Sequence, residues 1–244
     1  MESLATIEGR NPVIEAIKND REIDKIMIAN SAKEGSIKKI IGMAKEKNIV
    51  IQYVDKHKLD EVSTSHSHQG VIAQVSEYKY WELDELIESV KAKNEDPFFI
   101  ILDEITDPHN LGSIIRTADA AGVDAIIALK GCVDIYNPKV IRSTMGSIFD
   151  MNVIHATQEE ALRILKLKKF DIVSSYLDTN NYYNTVEYNY KTALVIGNEA
   201  NGINEELVSK SDVLVKIPIY GKAESLNAAI SSAILMYEIK KYLV

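Results

Sequence analysis

Polar residues able to do chemistry collect in three short stretches of this chain. The stretch YGKAESLN crowds Gly221, Lys222, Glu224, Ser225 and Asn227 between an apolar run that stops at Pro218 and a small-residue helix. PHNLGSIIRTADAAG carries Asn110 just before a helical pattern and Arg116 six residues later. Asn110 reads equally as an N-cap with Leu111 at N1 and as a site residue. Arg116, flanked by apolar and small residues, reads either as a surface cation or as a guanidinium held against a packed surface, which would require a partner. GNEANGI sets Gly197, Glu199 and Gly202 between an apolar strand and a helix capped by Asn204. Such a loop either presents backbone N–H groups to a ligand or is a plain turn, and it has neither the G-x-G-x-x-G nor the P-loop lysine pattern. Nucleotide phosphate binding is therefore disfavoured.

Other chemistries find no support in the spacing. HSHQG places His66 and His68 two apart with no acidic or cysteine pattern near them, so a loop reading outranks a metal site. The single Cys132 excludes an internal disulfide and a multi-cysteine metal site. No Ser-His-Asp order, nucleophile elbow or His-Glu-x-x-His is present.

The elements that must position these residues form two series. After a short N-terminal arm, IDKIMIAN reads as a strand, EGSIKKIIGMAKEKN as a helix, and IVIQYVD and GVIAQV as strands. LDELIESVKAK reads as a helix leading into NEDP, where the domain boundary is placed. The expected division is therefore 1–76 as a first domain, 77–96 as a linker helix and 97–244 as a second domain. From Pro97 onward, near-continuous apolar strands alternate with helices, including one expected around 138–149. That pattern indicates a parallel sheet covered on both faces, with ligands at the carboxyl ends of its strands. The three polar stretches all follow strands.

With 244 residues, 46% of them apolar and 26% charged, the chain is long enough for one large or two modest globular domains. It lacks a signal-like N-terminus and any apolar run of membrane-spanning length, so a cytoplasmic protein with no membrane contact is expected. Its net charge is −8, and neither part, divided after Asp96, is basic. Contact with nucleic-acid phosphate would therefore need a local patch. Two candidates, Lys33, Lys38, Lys39, Lys45 and Lys47, and then Arg163, Lys166, Lys168 and Lys169, each read first as a solvated helix face.

Three blocks in order, NLGSIIRTADAAGVDAII, KVIRSTMGSIFDMNV and LVIGNEANGINEELVSKSDVLVKIPIYGKAESLNAAISSAILMYE, resemble the SpoU branch of the SPOUT RNA methyltransferases. IEGRNPVIEAI and HQGVIAQV resemble the L30e-like substrate domain of the branch that methylates guanosine ribose in 23S rRNA. The resemblance implies an α/β fold, with an N-terminal L30e-like α/β domain and a C-terminal SPOUT domain whose parallel sheet carries a deep trefoil knot. It implies S-adenosylmethionine as cofactor, ribose 2′-O-methylation as reaction, RNA (23S rRNA) and a second copy of the chain as partners, and no metal.

Residue by residue, it makes Ile196, Gly197, Gly202, Ile217, Leu226 and Ala228 cofactor contacts. It places Ser225 and Asn227 toward the reacting centre, and has Asn110 and Glu199 support the site. Ser143 and Gly146 match the second block. Arg116 matches the arginine proposed to activate the 2′-hydroxyl; with a guanidinium pKa above about 12, stabilising the developing alkoxide or a neighbouring phosphate suits it better than acting as a base. Where relatives carry a small polar residue two after the Asn of SLN, this chain has Ala229. Alternative readings are a tRNA ribose methyltransferase, a thiopeptide-resistance rRNA methyltransferase and a non-catalytic RNA-binding assembly factor.

Overall fold

A computed structural model of the chain describes residues 4–19, 21–63, 67–76, 82–92, 96–198 and 200–243. Backbone contacts divide the chain into two units, Met1–Lys79 with Ile135–Asp150, and Tyr80–Asp134 with Met151–Val244.

In the first unit the chain runs through β1 (Leu4–Glu8), α1 (Arg10–Lys18), β2 (Ile23–Ala29), α2 (Ser36–Glu46), β3 (Val50–Val54), α3 (Lys56–Val62) and β4 (Val71–Ser76). The strands form a mixed sheet in the order β1-β4-β2-β3. The stretch expected to be an arm is instead β1 and α1. β1 pairs antiparallel with β4, and Ile7, Val13 and Ile17 enter the same core as Ile26, Ile28, Ile37 and Ile40. α3 is absent from the sequence reading because only Leu59 of its residues is buried, which leaves no periodic stripe to detect.

The second unit opens with α4 (Leu83–Lys91) and continues through β5 (Phe98–Leu102), α5 (Pro108–Ala120) and β6 (Ala125–Leu129). α6 (Pro138–Thr144) follows in sequence, then β7 (Asn152–Ala156), α7 (Gln158–Leu167), β8 (Asp171–Ser175), β9 (Thr192–Ile196), α8 (Glu205–Lys210), β10 (Val213–Val215) and α9 (Ala228–Lys240). Its sheet has the order β10-β8-β9-β5-β6-β7, and every described pairing in it is parallel. β5, β6 and β9 are buried along their whole length, as strands covered on both faces must be. Phe99 and Phe170 stack tilted within that core, ring centroids 4.9 Å apart.

The helix expected over 138–149 is broken. α6 ends at Thr144, Met145 (φ 53°) and Gly146 (φ 109°) turn the chain, and a short 3-10 turn spans Ser147–Phe149. This segment also belongs to the N-terminal unit rather than to the sheet on either side of it in sequence. Ile141 is buried in the core that holds Ile7, Val13 and Val75, with Tyr136 and Phe149 packed beside it.

α5 packs against α9, which is apolar around most of its circumference. Ala228, Ala229, Leu235, Met236 and Ile239 are buried, while Ile230 and Tyr237 remain 55% and 53% exposed. Among the described residues no helix is long and apolar enough to cross a membrane.

Truncating Ile141 tests its place in the N-terminal core. Ile141→Ala is expected to cost about 2–5 kcal/mol and to raise amide exchange in α1 and β4 while β5 and β9 keep their protection. Loss of protection confined to the second unit would contradict that placement.

Candidate functional site

Because β10, β8 and β9 are parallel neighbours, their carboxyl ends leave the sheet side by side. The segments that follow them, Ser175 to Asp178, Gly197 to Ile203 and Ile217 to Leu226, line a cavity of about 480 Å³, with Ala228 and Ser231 of α9 at its wall. That volume lies within the ~300–1,000 Å³ usual for small-molecule sites.

The middle segment folds back on itself. Asn198 and Gly202 exchange two backbone hydrogen bonds of 3.0 and 2.9 Å, and the Asn198 Oδ1 accepts from the N–H of Ala200 and Asn201. A Cβ on Gly197 would lie 2.4 Å from the Gly202 carbonyl carbon and oxygen, so only glycine permits this approach. The residues just after β5 anchor the loop: the Asn198 Nδ2 donates to the Glu104 carbonyl at 2.8 Å, and the Asn204 N–H donates to the Asp103 Oδ2 at 2.7 Å. Burial pushes the Asp103 carboxyl above its ordinary range, opposed by that N–H and helped by the neighbouring Glu104. Asn204 caps α8, as its place in the sequence indicates.

All six residues singled out in the sequence as cofactor contacts, Ile196, Gly197, Gly202, Ile217, Leu226 and Ala228, line this cavity, and so does Ser225. Isoleucines and Leu226 make an apolar wall, and Asp178 and Glu224 add carboxylates, a mixture suited to a ligand with a flat apolar part and a cationic part. Asn227 lies between two lining residues and caps α9, its Oδ1 accepting from the N–H of Ala229 and Ile230. Its Nδ2 then donates to the Asn110 Oδ1 at 2.8 Å, joining residues 117 apart in sequence. Glu199 lies outside the described residues.

Two readings need correction. Asn110 is not the N-cap of α5: Asp107 is, accepting from the N–H of His109 and Asn110, with Pro108 at N1. A carboxylate before proline is the stronger start signal, which the sequence reading passed over. Arg116 is not held against a packed surface. Its neighbours Ile114, Ile115 and Ala118 turn inward, and Arg116 is exposed, with no hydrogen bond or ion pair among the described residues and no place in the cavity wall.

The loop after β5 does not line the cavity but supports it through Asp103 and Glu104. The Ser175 to Asp178 segment, not singled out in the sequence, does line it, and the same carboxyl-end rule applied to β8 would have found it. Ala229 is buried, and Ser231, one turn into α9, reaches the cavity.

His68 lies in the loop between α3 and β4, as its spacing indicates, but is not exposed there. It is buried, with Nε2 2.9 Å from the Asp60 Oδ1 and Nδ1 accepting from the Gly70 N–H at 3.0 Å. His66 lies outside the described residues. Among those described, no group of three or more His, Cys, Asp or Glu is placed to hold a metal. Of the charge runs, Lys166 pairs with Asp212 and Lys168 with Glu88 and Asp84, which makes that face a solvated ion-pair network. Lys47 donates to the Ile17 carbonyl. The N-terminal unit also holds an open cavity of about 920 Å³ flanked by Arg10, Lys56 and Arg142, where the His68 hydrogen bond holds the Asp60 carboxyl below its usual range.

Residues 97–237 match the model of the SpoU rRNA methylase family, and residues 6–81 match that of RNA 2′-O ribose methyltransferase substrate binding. A putative TrmH family tRNA/rRNA methyltransferase of Bacillus subtilis is 40% identical over 232 residues, covering 95% of this chain and 93% of that protein. Among solved structures, the AdoMet-bound rRNA methyltransferase from Sinorhizobium meliloti superposes with a TM-score of 0.79 at 25% identity, over 99% of this chain and 88% of that one. The TrmH/SpoU tRNA modifying enzyme of A. aeolicus matches 65% of this chain and 84% of its own, with a TM-score of 0.54 and 27% identity.

The two loop glycines should respond differently to alanine. Gly202, at φ +71° with open space around it, should lose about 1–2 kcal/mol to left-handed strain alone. Gly197→Ala should cost more and speed amide exchange at residues 198–204, because backbone must move. Equal denaturation midpoints for the two variants would contradict the close approach.

Proposed function

The chain belongs to the SpoU family of RNA methyltransferases, enzymes that methylate ribose 2′-hydroxyls with S-adenosylmethionine, and from that premise we propose a guanosine of 23S rRNA as its target. The observation that carries the reading is the pairing of the cavity at the carboxyl ends of β8, β9 and β10 with a substrate-binding module over residues 6–81. The rRNA enzyme superposes on nearly the whole chain, whereas the tRNA enzyme matches 65% of it. A tRNA target is the second reading, favoured by the tRNA/rRNA naming of the Bacillus relative. A cytoplasmic location belongs to the same proposal.

The residues fit the cofactor: a glycine-walled loop and the apolar side chains of Ile196, Ile217 and Leu226 would hold it. When bound, it supplies an electrophilic methyl group on a cationic sulfur. The chain must then orient the ribose, exclude water and stabilise charge on the attacking O2′. Ser225 at the cavity wall and the Asn110–Asn227 pair would orient the reacting end, with Glu199 proposed as a further support. The C-terminal segment would complete a trefoil knot, a reading supported by β10 lying beside β8 although β9 precedes it in sequence.

Arg116 would stabilise the developing alkoxide or an adjacent phosphate. Since it does not line the cavity of its own chain, it would act at a site completed by a second copy. The exposed Ile230 and Tyr237 of α9, the neighbour of α5, support such an interface. In the N-terminal unit, Arg10, Lys56 and Arg142 offer a local positive site for phosphates on an acidic chain.

Incubation with labelled S-adenosylmethionine and separate rRNA and tRNA, followed by mapping of the labelled ribose, tests the target. Label on a 23S guanosine is expected; label in tRNA alone would reject the rRNA reading, and none in either would reject both. Arg116→Ala should slow single-turnover transfer about 10²–10³-fold with melting and cofactor affinity almost unchanged. Near-normal transfer would remove it from the site. Sedimentation should show a dimer at micromolar concentration, dispersed by Tyr237→Asp; a monomeric wild-type protein would refute the shared site.

A further inference from the structure

The segment between β8 and β9 displays an aromatic ring beside a cation at the rim of the cofactor cavity. Tyr182 forms a parallel bridge with Lys216, whose N–H donates to the Asn181 carbonyl while the Tyr183 N–H donates to the Lys216 carbonyl. The Lys216 Nζ stands over the Tyr182 ring, 5.6 Å from its centroid, and the ring is still 45% exposed. Among the described residues Lys216 has no carboxylate partner. Both flanks of the bridge lead into the cavity wall: Asp178 lies four residues before Tyr182, and Ile217 follows Lys216 directly. A second ring, Tyr220, is 94% exposed and follows the lining residue Ile219.

The display is built rather than frayed. The Asn181 Nδ2 donates to the Leu214 carbonyl at 3.1 Å, and the Tyr188 hydroxyl donates to the Tyr183 carbonyl. Tyr188 itself is buried and meets Tyr242 edge-on at 5.4 Å. The ring is thus held at fixed height with one face toward an ammonium, which leaves little entropy to lose on binding.

We infer that Tyr182 and Lys216 form a stacking platform for an unpaired nucleobase of the RNA, next to the nucleotide presented to the cofactor cavity; this rests on the reading of the chain as an RNA-modifying enzyme. A π-face takes any base, and the ammonium meets the neighbouring phosphate of the same strand. Duplex RNA keeps its bases stacked on each other and offers the ring nothing.

The test uses the full-length protein with S-adenosylmethionine and measures fluorescence anisotropy on a labelled single-stranded oligoriboadenylate and on an RNA duplex of equal length. Tyr182→Ala should weaken single-strand binding about five- to hundredfold and leave duplex binding within about twofold. Tyr182→Phe, which keeps the face, should match wild type, and Lys216→Gln should lose part of the single-strand affinity. Wild-type protein that fails to bind the single strand, an Ala variant that binds it normally, or one that loses both RNAs alike would each overturn the platform. So would an Ala variant that sediments as a lighter species, since the ring would then belong to a contact between copies. These binding outcomes are independent of methyl transfer: an inactive wild-type protein would sink the enzyme reading, whereas an active enzyme with an unaffected Ala variant would sink the platform alone.

Discussion

The double hydrogen bond between Asn198 and Gly202, closed against Gly197, is the constraint on which the cavity depends. A loop after a buried parallel strand leaves backbone groups without ladder partners, and unpaired groups at such a site cost about 1–3 kcal/mol each. Here the N–H groups of Asn198, Ala200, Asn201, Gly202 and Asn204 find partners in the loop backbone, the Asn198 side chain and Asp103, and the Asn198 Nδ2 ties the loop to the Glu104 carbonyl. The outcome is a loop whose backbone is braced on the side of the cavity that Gly197 and Gly202 line. Preorganisation of that kind lowers the ordering cost of a small ligand more than added contacts would.

Strand order does the rest. With β8 between β10 and β9, three consecutive carboxyl ends contribute to one cavity, and β5 on the far side of β9 serves as its buttress. The Asn110–Asn227 bond couples the first turns of α5 and α9: Asp107 caps one, Asn227 caps the other, and the two amides join them. The orientation of the Asn227 amide is fixed, because its Oδ1 is already committed to two N–H groups and its Nδ2 is the group left to face Asn110.

Much of this was legible in the sequence because it is local or strongly patterned. Apolar runs such as FFIIL, AIIAL and ALVI announce buried parallel strands, and GNEANGI carries its own turn chemistry; the lining residues themselves are named by the resemblance of these motifs to the SpoU family, not by pattern. The misreadings have a common cause in non-local pairing. The N-terminal strand is recognisable only through its partner β4, and Ile141 of α6 joins a core whose other buried members all lie 66 or more positions earlier in the sequence. The contribution of Ser175 to Asp178 follows from which strands are neighbours, which periodicity does not report. The burial of His68 within its loop is not legible because its partners, Asp60 and the Gly70 N–H, are fixed by tertiary position.

Arg116 shows a different limit: it is exposed on α5, and under the proposed function its partners arrive only with a second copy and the substrate. A buried guanidinium would have needed a carboxylate, and that carboxylate would have neutralised it toward any incoming anion. An exposed one remains hydrated at little cost and keeps its planar pair of donors free for oxygens that arrive with a substrate. Lys166 and Lys168 illustrate the contrary case, cations already engaged by Asp212 and Glu88 and therefore poor phosphate ligands. On a chain of net charge −8, RNA affinity under the proposed function must come from those cations left without an internal counter-charge. Among the described residues Arg116 and Lys216 are two such cations, the first exposed on α5 and the second next in sequence to Ile217 of the cavity wall. The internal pairing of its cations, more than their number, therefore decides where an acidic protein of this kind can hold RNA.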